Sequence, residues 1–143
     1  MNNVTERVYI FGVFNSKRNA AANLAAHKET IDSLKSKYYT PTEVTQRYNG
    51  IDETLIMLYG TNLTQPVIDE IAKNNFQESY LVVYHDGVAE LICSDKTSKI
   101  MGDFISVSES EAKAKDGYCK IGNQYFIIDE CYSGNAIPKE LKK

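Results

Sequence analysis

Tryptophan is absent from this chain of 143 residues, and prolines, cysteines and histidines are few. Each scarcity excludes something. The three cysteines, Cys93, Cys119 and Cys131, are odd in number and lack any C-x-x-C spacing. They read as buried thiols or one exposed spare in a reducing compartment, not as a disulfide framework. Only His27 and His85 are present, and no H-E-x-x-H run occurs, so no metal site is expected. A glycine-rich phosphate loop is missing, because Gly12 stands alone between apolar neighbours. The Ser133-Gly134 pair lacks the strand-turn-helix setting of a nucleophile elbow. No signal-peptide pattern and no apolar run of membrane-spanning length appears, so no membrane partner is expected. Basic side chains number 16 against 19 acidic ones, for a net charge of -3, and cluster only at Lys142 and Lys143. Nucleic-acid binding needs a concentrated Lys/Arg surface, so that class is excluded as well.

What is present is an ordinary globular composition, 43% hydrophobic and 24% charged, read as a single domain over residues 1–143. Residues 7–14, RVYIFGVF, are β-branched and aromatic and predict a first strand. Asn15 and Ser16 are placed to cap a helix after it. Over 19–37 the alanines favour helix, and Leu24, Ile31, Leu34 and Tyr38 recur at helical spacing. Pro41 ends that element. Strands over 43–48 and 54–59 then flank the turn signal Asn49-Gly50. A second helix comes next, capped by Asn62 or Thr64, with Pro66 in its first turn. Strands over 79–84 and 88–93 flank His85-Asp86-Gly87, and a C-terminal hairpin over 117–121 and 124–128 surrounds Gly122-Asn123. Residues 104–107 read as a short edge strand and 108–116 as polar surface.

The order β-α-β-β-α-β predicts an α+β fold. It is ferredoxin-like or PII-like, an antiparallel sheet flanked by two helices on one face, with the C-terminal β-hairpin added. Such a sheet leaves its second face open. The ten tyrosines suit a surface both apolar and wet, so a subunit interface is expected to cover it, or in part the C-terminal hairpin.

Candidate chemistry gathers at two segments. Glu53 and Glu78 each stand at the start of an apolar strand, with Tyr48 upstream of the first and Gln77 beside the second. If the strands are neighbours, these groups share one rim of the sheet. Two carboxylates there suit a cationic or polyhydroxylated small molecule, because a carboxylate is costly to desolvate without a partner. A glutamate at a strand start is equally an ordinary solvated terminus. His27 falls within the first helix, where a surface or capping role competes with ligand binding. Phe11, Phe14 and Phe76 are candidate lining groups, with core packing the commoner fate of each.

Seven segments, VYIFGVFNSKRN, HKETIDSL, EVTQRY, DETL, EIAKNNFQESYLVVY, MGDFISV and GYCKIGNQYFII, together resemble the bacteriophage S-adenosylmethionine (SAM) lyases, historically called SAM hydrolases. They run in the same order over roughly residues 8–128. The resemblance implies a homotrimer with intersubunit active sites in the cytoplasm of an infected bacterium. It implies conversion of SAM, as substrate and without cofactor, to 5'-methylthioadenosine and L-homoserine lactone, which depletes SAM and counters host restriction-modification. The alternatives are a noncatalytic trimeric binder of an adenosyl ligand and a phage inhibitor of a host protein. By position the resemblance makes Tyr48, Glu53 and Glu78 catalytic, and Glu53, Glu78, Gln77, Tyr48 and Phe14 substrate-binding. The Tyr48–Glu53 connection is shorter than in some relatives, which leaves Asp52 as the rival of Glu53. Gln77 is the rival of Glu78, and His27 matches a family histidine.

Overall fold

Three strands within the first 84 residues have to bury both faces, and the architecture follows from that. The computed structural model describes residues 6–48, 50–115 and 117–129. Strands β1 (Glu6–Phe11), β3 (Ile51–Thr61) and β4 (Ser79–Tyr84) carry apolar side chains at consecutive positions. Such runs need cover on each side. One side packs beneath helices α1 (Ala20–Ser36) and α2 (Gln65–Asn74). There Tyr9, Phe11, Ile56, Leu58, Tyr80 and Val82 form one buried cluster with Leu34, Ile68 and Ala72. The other side forms a second cluster, in which Ile10, Met57 and Val83 meet Val44, Ala89 and Cys119, with Phe104, Ile121 and Ile128 packed against them.

That second cluster is the inside of a barrel. Strands β2 (Thr42–Tyr48), β5 (Val88–Cys93), β6 (Ser98–Val107), β7 (Gly117–Ile121) and β8 (Gln124–Asp129) complete it. All eight strands are antiparallel and close in the order β1-β3-β2-β7-β8-β6-β5-β4. A short helix α3 (Glu109–Ala114) packs against β7 and β8, opened by a capping box in which Ser108 and Glu111 exchange hydrogen bonds.

The open ferredoxin-like or PII-like sheet is therefore corrected to a closed eight-stranded barrel. The segment β4-β1-β3-β2 of the ring does have its two helices on one side. Its second face is covered by the chain's own C-terminal half. The same finding overturns membership of the SAM lyase family, because a closed eight-stranded barrel is not the flanked open sheet of that family. Runs such as RVYIF and YLVVY satisfy any doubly buried strand, so their order along the chain did not distinguish the two folds. Two local expectations change as well. Residues 104–107 are the end of a ten-residue strand that pairs with β5 over 98–103 and with β8 over 103–107, longer than the short edge strand expected. Helix α1 is capped by Asn19, whose side chain accepts from the Ala22 N–H at 2.8 Å, and not by Asn15 or Ser16.

Gly60, near the end of β3, is required by close approach. A Cβ there would lie 2.5 Å from Thr64 Oγ1 and 2.8 Å from Thr64 Cβ. The Thr64 hydroxyl is itself fixed, accepting from the Thr61 N–H at 3.1 Å. Gly60→Ala should destabilise the fold by about 1–3 kcal/mol, the usual cost of overpacking. An unchanged urea midpoint would show that the turn at Thr64 yields freely.

Buried hydroxyls and a thiol set the alkaline limit of stability. Burial raises the pKa of Tyr80, whose hydroxyl donates to Asp69 Oδ1 at 2.6 Å. It raises Tyr84, which donates to the Glu90 carboxylate, and pushes the Cys119 thiol up to about 12. Each group holds its proton more tightly folded than unfolded. Their contribution is complete below the ordinary values of 9.0 for the thiol and 10.0 for tyrosine, and is lost as pH climbs through the raised ones. The denaturant midpoint should stay flat with respect to these groups up to about pH 8.5 and fall above it. A midpoint that rose between pH 9 and 11 would contradict this assignment.

Candidate functional site

The strand period of two decides which rim residues face the barrel axis. Leu55 and Met57 of β3 point inward, which places Glu53 in the same series. Val44 of β2 points inward, which places Gln46 and Tyr48 there too. The register sets Gln46 opposite Glu53 on one side and Cys119 on the other, and Tyr48 opposite Ile51 and Gly117. Glu53, Gln46 and Tyr48 thus extend the barrel wall past its filled core, at the end where β1 finishes. Glu53 is exposed, and among the described residues its carboxylate makes no hydrogen bond or ion pair. Tyr48 is 58% exposed, and its ring lies against Gly117, where a Cβ would sit 3.4 Å from Tyr48 Cδ1. Asp52 belongs to the alternate series and is held by Arg47, Nη1 to Oδ1 at 2.9 Å.

The second part of the rim is built where β1 leaves the barrel. Gln77 donates through Nε2 to the Phe14 carbonyl at 2.7 Å and to the Asn75 carbonyl at 3.1 Å. With its donors fixed, Oε1 is left as an oriented acceptor. Gly12 makes room for it, since a Cβ there would lie 3.4 Å from Gln77 Oε1 and 2.9 Å from Leu55 Cδ2. Gln77 and Phe14 are thereby in direct contact. Glu78 is exposed and joins neither; its carbonyl accepts the Ser94 N–H at 2.8 Å, and its carboxylate has no partner among the described residues. Tyr48 stands four residues beyond Val44, which pairs with Leu55. That is about 13 Å up the hairpin from the level of Gly12. Glu53 lies between the two levels.

The loop carrying Phe14 is fixed by a polar network that spacing did not reveal. Arg18 donates through Nη2 to the Val13 carbonyl and, at 2.7 Å, to Asn75 Oδ1, and through Nε to Asn23 Oδ1 at 3.2 Å. Asn23 and Asn15 exchange backbone and side-chain bonds at 2.9–3.0 Å, and Asn15 Nδ2 reaches the Asn75 carbonyl at 2.9 Å. Both Asn23 and Asn75 are buried. The one signal of this network in the sequence is the recurrence of asparagine at 15, 19 and 23 and again at 74 and 75.

His27 is 2% exposed and bonds through Nε2 to Glu43 Oε2 at 2.6 Å, tying α1 to β2. The Phe14 ring packs edge-on against it at 5.6 Å between centroids. His27 therefore supports Phe14 from behind. Phe11 is core, whereas Phe76 is exposed beside the rim, with the Lys17 ammonium 4.6 Å from its ring centre. His85 occupies the β4–β5 turn at the opposite end of the barrel. Cys131, Ser133-Gly134 and the Lys142-Lys143 pair lie outside the described residues. Among those described, no three His, Cys, Asp or Glu side chains converge as metal ligands would.

The rim thus offers a free carboxylate, a phenol, an oriented amide acceptor and exposed aromatic rings, a set suited to a small organic cation with several N–H or O–H donors. Compared with known proteins, the chain matches no family profile and no curated sequence.

Proposed function

We propose that this barrel mouth binds SAM and promotes its cleavage to 5'-methylthioadenosine and L-homoserine lactone. The observation that carries the reading is the Glu53 carboxylate, unpaired among the described residues, on the inward series, on the strand next to Tyr48 and at the same mouth as Gln77. It stands on these residues, not on family membership. The ligand's α-ammonium is a natural partner for Glu53, and its donor groups suit the fixed Oε1 of Gln77.

The reaction asks little of the protein beyond geometry. The methionine carboxylate attacks its own γ-carbon, the C–S bond breaks, and the electron pair leaves on sulfur as neutral methylthioadenosine. No proton has to move. Holding the aminobutyryl chain folded over supplies the proximity that converts binding into rate. The sulfonium loses its charge as the bond breaks, so a strong anion at sulfur would favour the substrate over the transition state. In this scheme Glu53 grips the ammonium, Tyr48 faces the reacting chain, and Phe14 lines the sulfur and adenosyl side. Glu78 remains within reach of the solvent-facing edge of the ligand only. The expected trimer with intersubunit sites was to cover an open sheet face. With that face filled, the proposed site is assembled from one chain. A phage origin with depletion of host SAM in the cytoplasm remains the biological setting that fits such an activity.

The test is to mix purified protein with excess SAM and follow products by chromatography with mass detection. Methylthioadenosine and homoserine lactone forming over many turnovers is the expected result. Homoserine carrying solvent oxygen as the first product would make the protein a hydrolase instead. Intact SAM bound one to one would make it a noncatalytic adenosyl-ligand binder, and neither turnover nor binding would end the reading.

A further inference from the structure

Helix α1 buries only part of its apolar surface: Leu34 lies in the core, but Leu24 does not. Its buried positions are Asn23, His27 and Leu34, while Leu24 is 62% exposed and Ala21 and Ala25 face solvent beside it. These side chains, with Ile31 and Pro41, line an open groove of about 750 Å³ between α1 and β2, whose floor is the His27–Glu43 pair. Tyr38, just past the end of α1, is 97% exposed. An exposed leucine alone needs no explanation. A leucine flanked by two exposed alanines, beside a groove that Ile31 and Pro41 also line, is a continuous apolar patch, and a patch of that kind marks a contact surface.

Charges along the groove identify what covers it. Lys28 and Asp32 are four residues apart on the groove side of α1, and neither makes an ion pair among the described residues. We propose that the groove is the contact between two copies of this chain, α1 lying antiparallel to α1 about a two-fold axis that crosses the groove face midway between Lys28 and Asp32. That placement sets Lys28 of each copy opposite Asp32 of the other, so one pairing is made twice, as an isologous interface requires. It also carries Ala21 and Leu24 of one copy to the end of the other helix, where Lys35 and Tyr38 stand. Leu24 then leaves water, and the Lys28 and Lys35 stems cover apolar surface. A helix of 17 residues is about 25 Å long, so the contact falls below the standard interface of about 800 Å² per partner. The dimer is accordingly weak and concentration-dependent. This contact is separate from the barrel mouth and does not depend on the function proposed for it.

Sedimentation velocity of the full chain over a hundredfold concentration range tests it. A monomer–dimer equilibrium is expected, weakened at least tenfold by Leu24→Glu. Lys28→Asp should weaken it severalfold, and Lys28→Asp combined with Asp32→Lys should restore it, because the swapped pair is again complementary. All three sites are exposed, and glutamate has nearly the helix propensity of leucine, so far-UV circular dichroism should be unchanged. A chain that is monomeric throughout, or association indifferent to Leu24→Glu, overturns the proposal. So does failure of the double swap to restore what Lys28→Asp removes. Dimerisation that appears only after residues 130–143 are deleted would mean that the chain's own end fills the groove, and would overturn it as well.

Discussion

Replacing Glu53 with glutamine should lower SAM turnover about a hundredfold and leave the melting curve where it is. A charge-assisted hydrogen bond contributes about 1.5–3 kcal/mol, which corresponds to a factor of roughly 10 to 150 in rate or affinity. Glu53 has no partner among the described residues, so removing its charge should leave the barrel's own contacts in place. The kinetic signature separates two roles. A fall in kcat/KM through KM alone means that Glu53 only anchors the ammonium, whereas a fall in kcat means that it also holds the substrate in its folded, reactive shape. Asp52→Asn is the control, because that carboxylate is held by Arg47 on the alternate series; turnover should change less than about threefold, as for an exposed ion pair. If Asp52→Asn silences the protein and Glu53→Gln does not, the assignment of the two carboxylates is reversed.

The second large effect is on stability. Phe11 is 2% exposed, lodged between the barrel wall and the helices in the cluster with Leu34, Ile56, Ile68 and Tyr80. Phe11→Ala should cost about 3–5 kcal/mol, the transfer free energy of the ring plus the cavity it leaves. For a domain of this size that is a large part of the whole margin of about 5–15 kcal/mol. Phe11 also immediately precedes Gly12, so the Gln77–Phe14 contact should loosen before the barrel opens. Urea unfolding followed by far-UV circular dichroism measures the cost. A loss below about 1 kcal/mol would mean that the α1 and α2 layer collapses readily into the space, contrary to the packing described.

Secondary structure was legible in the sequence where local chemistry decides it. β-Branched and aromatic runs marked β1, β3 and β4, and Pro66 marked the start of α2. The His85-Asp86-Gly87 and Gly122-Asn123 turns marked two hairpins. The closure of the sheet was not legible, because RVYIF and YLVVY state that two faces are buried without stating by what. Of residues 98–107 only 104–107 read as strand, because Met101 is an extra residue in β6, set between Ile100 opposite Glu90 and Gly102 opposite Ala89, and it breaks the period of two. At the rim, the grouping of Glu53 with Tyr48 follows from hairpin register, which Asn49-Gly50 announces. The contact between Gln77 and Phe14 spans 63 positions, and no spacing rule reaches that far. The same distance hid Arg18 and Asn75, which look like loop residues until the loop is seen to be tied down.

Closure of the ring has a consequence for synthesis on the ribosome. Strand β2 takes its second neighbour from β7, with Thr45 paired to Lys120, and β1 cannot be sealed from water on its inner side until β6, β7 and β8 exist. The emerging chain can assemble β1, β2, β3, β4 and both long helices early, but it then carries an uncapped β2 edge and a bare apolar face. Both are templates for joining the wrong chain. Loop-closure entropy makes the late pairing slow. The last strands are therefore the ones that end a period of exposure to aggregation, and a translational pause before residue 117 would prolong that exposure.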